Sequence, residues 1–146
     1  PEKLVGSAAV LDLRGEAKGD TIPARALSKH WPSGPAPEVV LLETGWSEIR
    51  APTRTYLYDF PGIDPEGATW LAEKGIRAVG TDALGIDPYS NSKFEAHKVL
   101  LGKGIYLIEA MAHLSELTEG QRYTLFVGPL NIAGASGAMA RVLAVE

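Results

Sequence analysis

Residues 92–109 constrain the fold more than any other stretch, because they combine a short amphipathic helix with an apolar strand. Ser92 with Glu95 three residues later predicts a capping box, so we expect the helix to begin directly after Ser92. Two glycines predict its end. The strand 105–109 is apolar on both faces up to Glu109, as expected of a strand that is covered on both sides.

One residue of the predicted helix does not fit a purely apolar side. At 100° per residue, Phe94, Ala96, His97, Leu100 and Leu101 fall on one continuous arc. Because His97 lies in the middle of this arc, we expect its imidazole to point toward the protein interior.

The helix and the strand run antiparallel, so His97 and Glu109 lie on corresponding sides of the turn between them. His97 lies about 7.5 Å before the helix end and Glu109 about 13 Å into the strand, a mismatch of about 6 Å that two side chains and an ion can span. We therefore predict that the two side-chain tips lie within about 5 Å of each other. Imidazole plus carboxylate is half of a divalent-metal site. From the pattern alone, a buried His–Glu hydrogen bond is the favoured alternative, since two ligands do not make a site.

Short strands alternate with short helices along the rest of the chain, which indicates an α/β architecture. The clearest helix pattern covers residues 65–74, because Asp64 can cap it, Pro65 suits its first position and Gly75 closes it. Residues 56–60 predict a short strand or an extended segment. The other predicted strands cover residues 7–13, 39–43, 77–81, 123–127 and 140–145.

Composition narrows the class of protein. The 146 residues are 45% hydrophobic and 22% charged, enough to bury the core of one domain. The net charge of −4 argues against a nucleic-acid surface, and no stretch reaches the apolar length of a membrane span. There is no cysteine. Any metal must therefore be held by histidine and carboxylates, which suits zinc or manganese.

Several motifs follow one another along the chain. They are Thr-Gly-Trp (44–46) after an apolar strand, Phe-Pro-Gly (60–62) before a helix, Gly-x-Asp-x-x-x-x-Asp (80–87), Phe-x-x-His (94–97), a strand ending in Glu109, and Pro-Leu (129–130) followed by a glycine-rich turn and Arg141. In this order they cover nearly the whole chain, which resembles the cyclase family of metal-dependent hydrolases, including bacterial kynurenine formamidases and isatin hydrolases. The resemblance implies a single domain over residues 1–146, with a swivelling β/β/α-type mixed sheet and short flanking helices.

The same resemblance assigns site residues. His97 and Glu109 match the two metal ligands that the C-terminal half of the family site supplies. The other ligands come from an N-terminal His-x-Gly-Thr-His-x-Asp motif, with a further histidine for acid–base catalysis, and this sequence lacks that motif. We expect a C-terminal portion of the family domain, whose N-terminal part is missing, or else a paralogue that has lost catalysis. His30 and His113 sit in unrelated contexts, and we expect His113 to lie on the surface.

The family implies a metal-dependent hydrolase of an amide-like bond, with zinc as the first expectation and manganese as the second. It further implies a small-molecule substrate, Trp46 near the substrate pocket, and a homodimer or larger homo-oligomer. We expect a cytoplasmic protein. The alternative is a non-catalytic binding or structural paralogue in which the pair of His97 and Glu109 only ties helix to strand.

Two aspartates flank the turn that follows the predicted strand 77–81. Asp82 and Asp87 are expected to cap that turn, because aspartate readily accepts hydrogen bonds from nearby backbone N–H groups. The alternative is that they support a metal site from its outer shell.

Overall fold

The computed structural model describes residues 4–146, which form one mixed α/β domain with a curled sheet and a few short helices. The strands are β1 (Val5–Asp12), β2 (Thr21–Ile22), β3 (Val39–Glu43), β4 (Gly62–Ile63), β5 (Ala78–Thr81), β6 (Tyr106–Ile108), β7 (Tyr123–Pro129) and β8 (Ala140–Val145). The helices are α1 (Ala24–Lys29), α2 (Arg54–Tyr58), α3 (Pro65–Ala72) and α4 (Glu95–Gly102), with 3₁₀ turns at Trp46–Ile49 and Leu114–Glu116. Within residues 4–146, no helix is both long enough and apolar enough to cross a membrane.

The main sheet has six strands in the order β6-β5-β3-β1-β7-β8. Strands β6, β5, β3 and β1 are parallel to one another, whereas β7 is antiparallel to both β1 and β8. The carboxyl ends of the four parallel strands therefore meet at one edge of the sheet. Asp12, Glu43, Asp82 and Glu109 lie at those ends. This edge is where open α/β sheets place ligands.

Both faces of the sheet are covered, but by different kinds of structure. Helices α1, α3 and α4 cover one face through Leu27, Leu71 and Leu100, each fully buried. The segment after β6 covers the other face through Met111 and Leu114. Burial of each such side chain contributes about 1.5–3 kcal/mol, so these contacts hold the strand ends in a fixed arrangement.

The structure confirms two predicted elements and corrects a third. Strand β3 has the predicted bounds, and α3 begins at Pro65 after Asp64, whose carboxylate accepts a hydrogen bond from Gly67 N at 2.5 Å. Residues 56–60 were predicted as a short strand or an extended segment, but residues 56–58 belong to helix α2 (Arg54–Tyr58). The Thr53 hydroxyl caps this helix by accepting from Tyr56 N at 3.2 Å.

The start and the apolar side of α4 also differ from the prediction. The helix begins at Glu95, and Phe94 is its N-cap residue, without a side-chain cap bond of its own. Ala96 and Leu100 are buried, but Phe94 and Leu101 are 56% and 54% exposed. The buried stripe of α4 is therefore narrower than the helical pattern indicates.

Candidate active site

Asp87 lies at the base of the candidate site, where it accepts hydrogen bonds from backbone N–H groups in the first turn of α4. Its carboxylate accepts hydrogen bonds from Ala96 N and His97 N, each at 2.9 Å, and from Asn91 Nδ2 at 2.8 Å. The predicted capping box at Ser92 is therefore wrong, since the donors of the first helical turn are taken by a residue that lies before it in sequence. A carboxylate at a helix amino end is also stabilised by the helix dipole.

The imidazole of His97 lies between two carboxylates. Its Nδ1 is 2.7 Å from Asp87 Oδ2, and its Nε2 is 3.2 Å from Glu109 Oε1. The same Glu109 oxygen accepts a hydrogen bond from Ile86 N at 2.9 Å. The structure therefore brings His97 and Glu109 together within the predicted distance, and each is held from a second side.

Glu109 is more accessible than the sequence pattern indicated. It follows β6, which is an edge strand, and its side chain is 32% exposed, against 26% for His97 and 1% for Asp87. The prediction of a strand buried on both sides is wrong for β6, since Tyr106 is 44% exposed. The pair of His97 and Glu109 thus faces an opening rather than the core.

That opening is a cleft of about 530 Å³. Its walls are mostly apolar, and the residues that line it are Phe60, Leu84, Gly85, Asp87, Pro88, Tyr89, Ser92, Phe94, His97 and Glu109. Ring contacts order this wall: Phe94 packs edge-on against the His97 imidazole at 5.7 Å between centroids, and Tyr89 packs edge-on against Tyr58 at 4.7 Å. A mostly apolar cleft with a few convergent polar groups is the usual form of a small-molecule site.

Phe94 and Tyr89 were not identified as site residues from the sequence. Phe94 has φ 53° and ψ 48°, in the left-handed region that bulky residues rarely adopt. Strain of this kind costs about 1–3 kcal/mol and clusters at functional sites. For Tyr89, the available signal is an aromatic residue placed directly after Asp87 and Pro88 in a loop.

The donor set at this site fits part of a divalent-metal centre. His97 Nε2 and a Glu109 oxygen are ligand types that zinc accepts, and the contact of Nδ1 with Asp87 is the outer-shell partner that ligating histidines usually have. A catalytic zinc normally has three protein ligands. Residues 4–146 contain no group of three or more histidine, aspartate and glutamate side chains arranged to hold a metal ion. Among the described residues, His97 and Glu109 therefore match the donor types of two positions of such a set and leave the others unfilled.

Trp46 does not line the cleft that contains His97. Its ring stacks on Tyr56 with 6.4 Å between centroids, and its Nε1 donates to Tyr56 O at 3.0 Å. Asp82 holds the preceding turn by accepting from Thr44 N, Thr44 Oγ1 and Ser47 N at 2.8, 2.6 and 3.3 Å. The prediction that Asp82 caps the turn that follows it is wrong, because its carboxylate caps the turn after β3 instead.

The two other histidines lie away from the cleft. His113 is exposed and pairs with Glu116 at 2.9 Å, as predicted for a surface residue. His30 lies between Glu16 and Glu119, at 3.1 and 2.8 Å from its two ring nitrogens. Burial opposes a charge on His30, but the two carboxylates outweigh it and raise its pKa above the usual value. This cluster joins the segments before β2, after α1 and before β7.

Residues 1–88 match the model of the Cyclase family, and the chain belongs to this family. The resemblance identified from the sequence motifs is thereby confirmed. The family match ends before His97 and Glu109, whereas the structural likenesses below extend over nearly the whole chain.

Three known proteins illustrate the relationship. A kynurenine formamidase from Erythrobacter litoralis is 33% identical over 88 residues, which are 60% of this chain and 40% of that protein. The structure of a predicted metal-dependent hydrolase from Bacillus stearothermophilus is 31% identical, with a TM-score of 0.80, over 97% of this chain and 64% of its own. Isatin hydrolase A from Labrenzia aggregata, bound to benzyl benzoate, is 26% identical, with a TM-score of 0.82, over 99% of this chain and 62% of its own. The match thus spans about two fifths of the length of the curated relative.

Proposed function

We propose that this chain supplies the substrate cleft and two metal ligands of a hydrolase that cleaves an amide-like bond, such as a formamide or a strained lactam. The observation that carries the proposal is the convergence of His97 Nε2 and Glu109 Oε1, 3.2 Å apart, at the wall of the cleft. The relatives described as kynurenine formamidase, isatin hydrolase and metal-dependent hydrolase support this reaction class.

In this proposal His97 and Glu109 hold a divalent ion, zinc first and manganese second. When bound, such an ion supplies Lewis-acid activation of water and of the scissile carbonyl. The backbone N–H of Ile86 keeps Glu109 directed toward His97. Phe60, Tyr89 and Phe94 exclude water from the apolar part of a substrate.

Hydrolysis would require at least one further metal ligand and an acid–base group in addition to His97 and Glu109, which are the two ligands that residues 4–146 bring to the cleft in this proposal. We therefore expect the 146-residue chain by itself to bind metal weakly and to hydrolyse no formamide. We further propose a small-molecule substrate, Trp46 near the complete pocket, a homodimer or larger homo-oligomer, and a cytoplasmic location. Stoichiometric zinc in the purified chain, with turnover of an aryl formamide, would contradict the incomplete site.

The experiment is a zinc titration of the wild-type chain and of Glu109→Gln, with thermal unfolding measured with and without chelator. Glutamine keeps the size of the side chain but removes its charge, so zinc affinity should fall at least tenfold, since even outer-shell changes cost about 10–100-fold. Glu116→Gln is the matched control, because it alters another His–Glu pair that is fully on the surface. Its zinc affinity should equal that of the wild type.

A structural role for the pair is the second candidate function, as in a non-catalytic paralogue. The direct contact of 3.2 Å between His97 and Glu109 favours it, since the two side chains can bond each other without an ion. In that case Glu109→Gln should cost about 1–3 kcal/mol of stability, with zinc affinity unchanged. Insensitivity of both proteins to zinc and to chelator would refute the metal assignment and leave the structural role.

A further inference from the structure

The Asp87 carboxylate accepts more hydrogen bonds than the capping of a helix requires. The carboxylate is 1% exposed and divides its bonds evenly between its two oxygens. Oδ1 accepts from Ala96 N and Asn91 Nδ2, and Oδ2 accepts from His97 N and His97 Nδ1. The group that begins helix α4 is therefore also the group that holds the imidazole.

The cap comes from an unusual place in the chain. An N-cap side chain normally belongs to the residue just before the helix and bonds the second or third backbone N–H. Here Phe94 is in that position without a capping side chain, and Asp87 bonds the N–H groups of the second and third helical residues. Because the third residue is His97 itself, its backbone and its ring are fixed by one oxygen, Asp87 Oδ2.

This arrangement also selects which ring nitrogen carries the proton. Both ring nitrogens face a carboxylate, but the two contacts differ. Nδ1 is hydrogen-bonded to the buried Asp87 at 2.7 Å, whereas Nε2 has a longer contact of 3.2 Å with Glu109, which is 32% exposed. In the neutral ring this difference favours the hydrogen on Nδ1, which leaves the Nε2 lone pair toward the cleft. The edge of Phe94 packs against the same ring. Rotation of the imidazole would break the bond to Asp87 and this ring contact together.

We propose that Asp87 is a positioning residue for His97, which fixes the Nδ1–H tautomer and presents Nε2 to the cleft as a metal ligand. The ligand part of this proposal rests on the proposed function, whereas the tautomer part stands on the contacts of Asp87 alone. The two parts are tested separately.

Asp82 provides a matched control. It is buried like Asp87, with 1% of the residue exposed against 3%, lies directly after β5, and caps a turn. It bonds Thr44 and Ser47 but no histidine. Asp87→Asn and Asp82→Asn thus remove one buried, capping carboxylate each, and only the first touches an imidazole.

The test is ¹⁵N NMR of the histidine rings at about pH 9, well above the ordinary imidazole range, with His97 assigned from the spectrum of His97→Gln. The wild type and Asp82→Asn should show His97 protonated at Nδ1. In Asp87→Asn the amide cannot accept all four donors, and in Asp87→Ala no acceptor remains, so the Nε2–H form should gain population. The same four proteins are titrated with zinc, and Asp87→Asn should bind about 10–100-fold more weakly than the wild type.

The possible outcomes distinguish the tautomer part of the proposal from its ligand part. A tautomer shift confined to the Asp87 variants, with weaker zinc binding, supports both. The same shift with unchanged zinc affinity supports positioning and overturns the metal function. Three results would overturn the positioning role, whatever the zinc affinity. They are a wild-type His97 protonated at Nε2, a His97 tautomer that is unchanged in both Asp87 variants, and a tautomer shift of equal size in Asp82→Asn.

Discussion

Glu43 is a buried carboxylate that should make the native protein less stable as pH rises. Glu43 is the last residue of β3, and only 3% of the residue is exposed. Among the residues that the structure describes, none forms a hydrogen bond with Glu43 Oε1. Burial raises the pKa of Glu43 above its usual value of 4.5, against the opposing effect of Arg14. We predict that Glu43→Gln stabilises the protein at neutral and alkaline pH.

The size of the effect follows from the contacts. A buried polar atom without a partner costs about 1–3 kcal/mol, and more if it is charged. Glutamine keeps a polar atom at this place and removes only the additional cost of the charge. Arg14 Nη1, 3.5 Å away, offsets part of this cost. Arg14 would not be left alone in the variant, because it bonds Asp12 through two nitrogens at 2.6 and 2.9 Å and is half exposed. We therefore expect a net gain of about 1 kcal/mol, or about 2–4 °C in melting temperature for a domain of this length.

The stability difference between Glu43→Gln and the wild type should depend on pH. The native state binds the Glu43 proton more tightly than the unfolded chain does. The contribution of Glu43 to wild-type stability is therefore greatest below pH 4.5 and is lost as pH rises through the elevated native pKa. The advantage of glutamine should be near zero at low pH, grow across that window and stay constant above it.

Urea unfolding at a series of pH values measures this difference. Glu48→Gln is the control, because Glu48 is an exposed carboxylate near the same arginine, and it should change stability by less than about 0.5 kcal/mol. A loss of stability in Glu43→Gln at pH 8, or a gain that does not vary with pH, would refute the reasoning that burial outweighs Arg14.

Two further predictions concern stability elsewhere in the fold. Asp64→Ala removes the cap that accepts from Gly67 N, so the free energy of unfolding should fall by about 1 kcal/mol, and chemical denaturation that shows no loss would contradict this. The raised pKa of His30, beside Glu16 and Glu119, stabilises the fold fully below pH 6.5, and this contribution is lost as pH rises through the native pKa. The cost of His30→Gln in urea unfolding should therefore be larger at about pH 5.5 than at about pH 9, and an equal cost at both would exclude a charged imidazole between the two carboxylates.

Local sequence determined the elements whose signals lie within a few residues of one another. Strand β3 is a continuous apolar run, and α3 has its own cap in Asp64 and a proline at its first position. The mid-helix position of His97 and the end of the following strand were enough to predict that His97 and Glu109 approach each other. In each case the signal lies within one element or within one helix–turn–strand unit.

Tertiary structure decided the rest, because the deciding groups lie outside the local element or depend on the order of the strands in the sheet. The cap of α4 comes from Asp87, which overrides the local signal of Ser92, since a buried carboxylate is a stronger acceptor than a hydroxyl near solvent. Glu109 is accessible because β6 lies at the edge of the sheet, and no periodicity along a strand reveals which strand is outermost. The openness of the candidate site is therefore a property of the sheet as a whole.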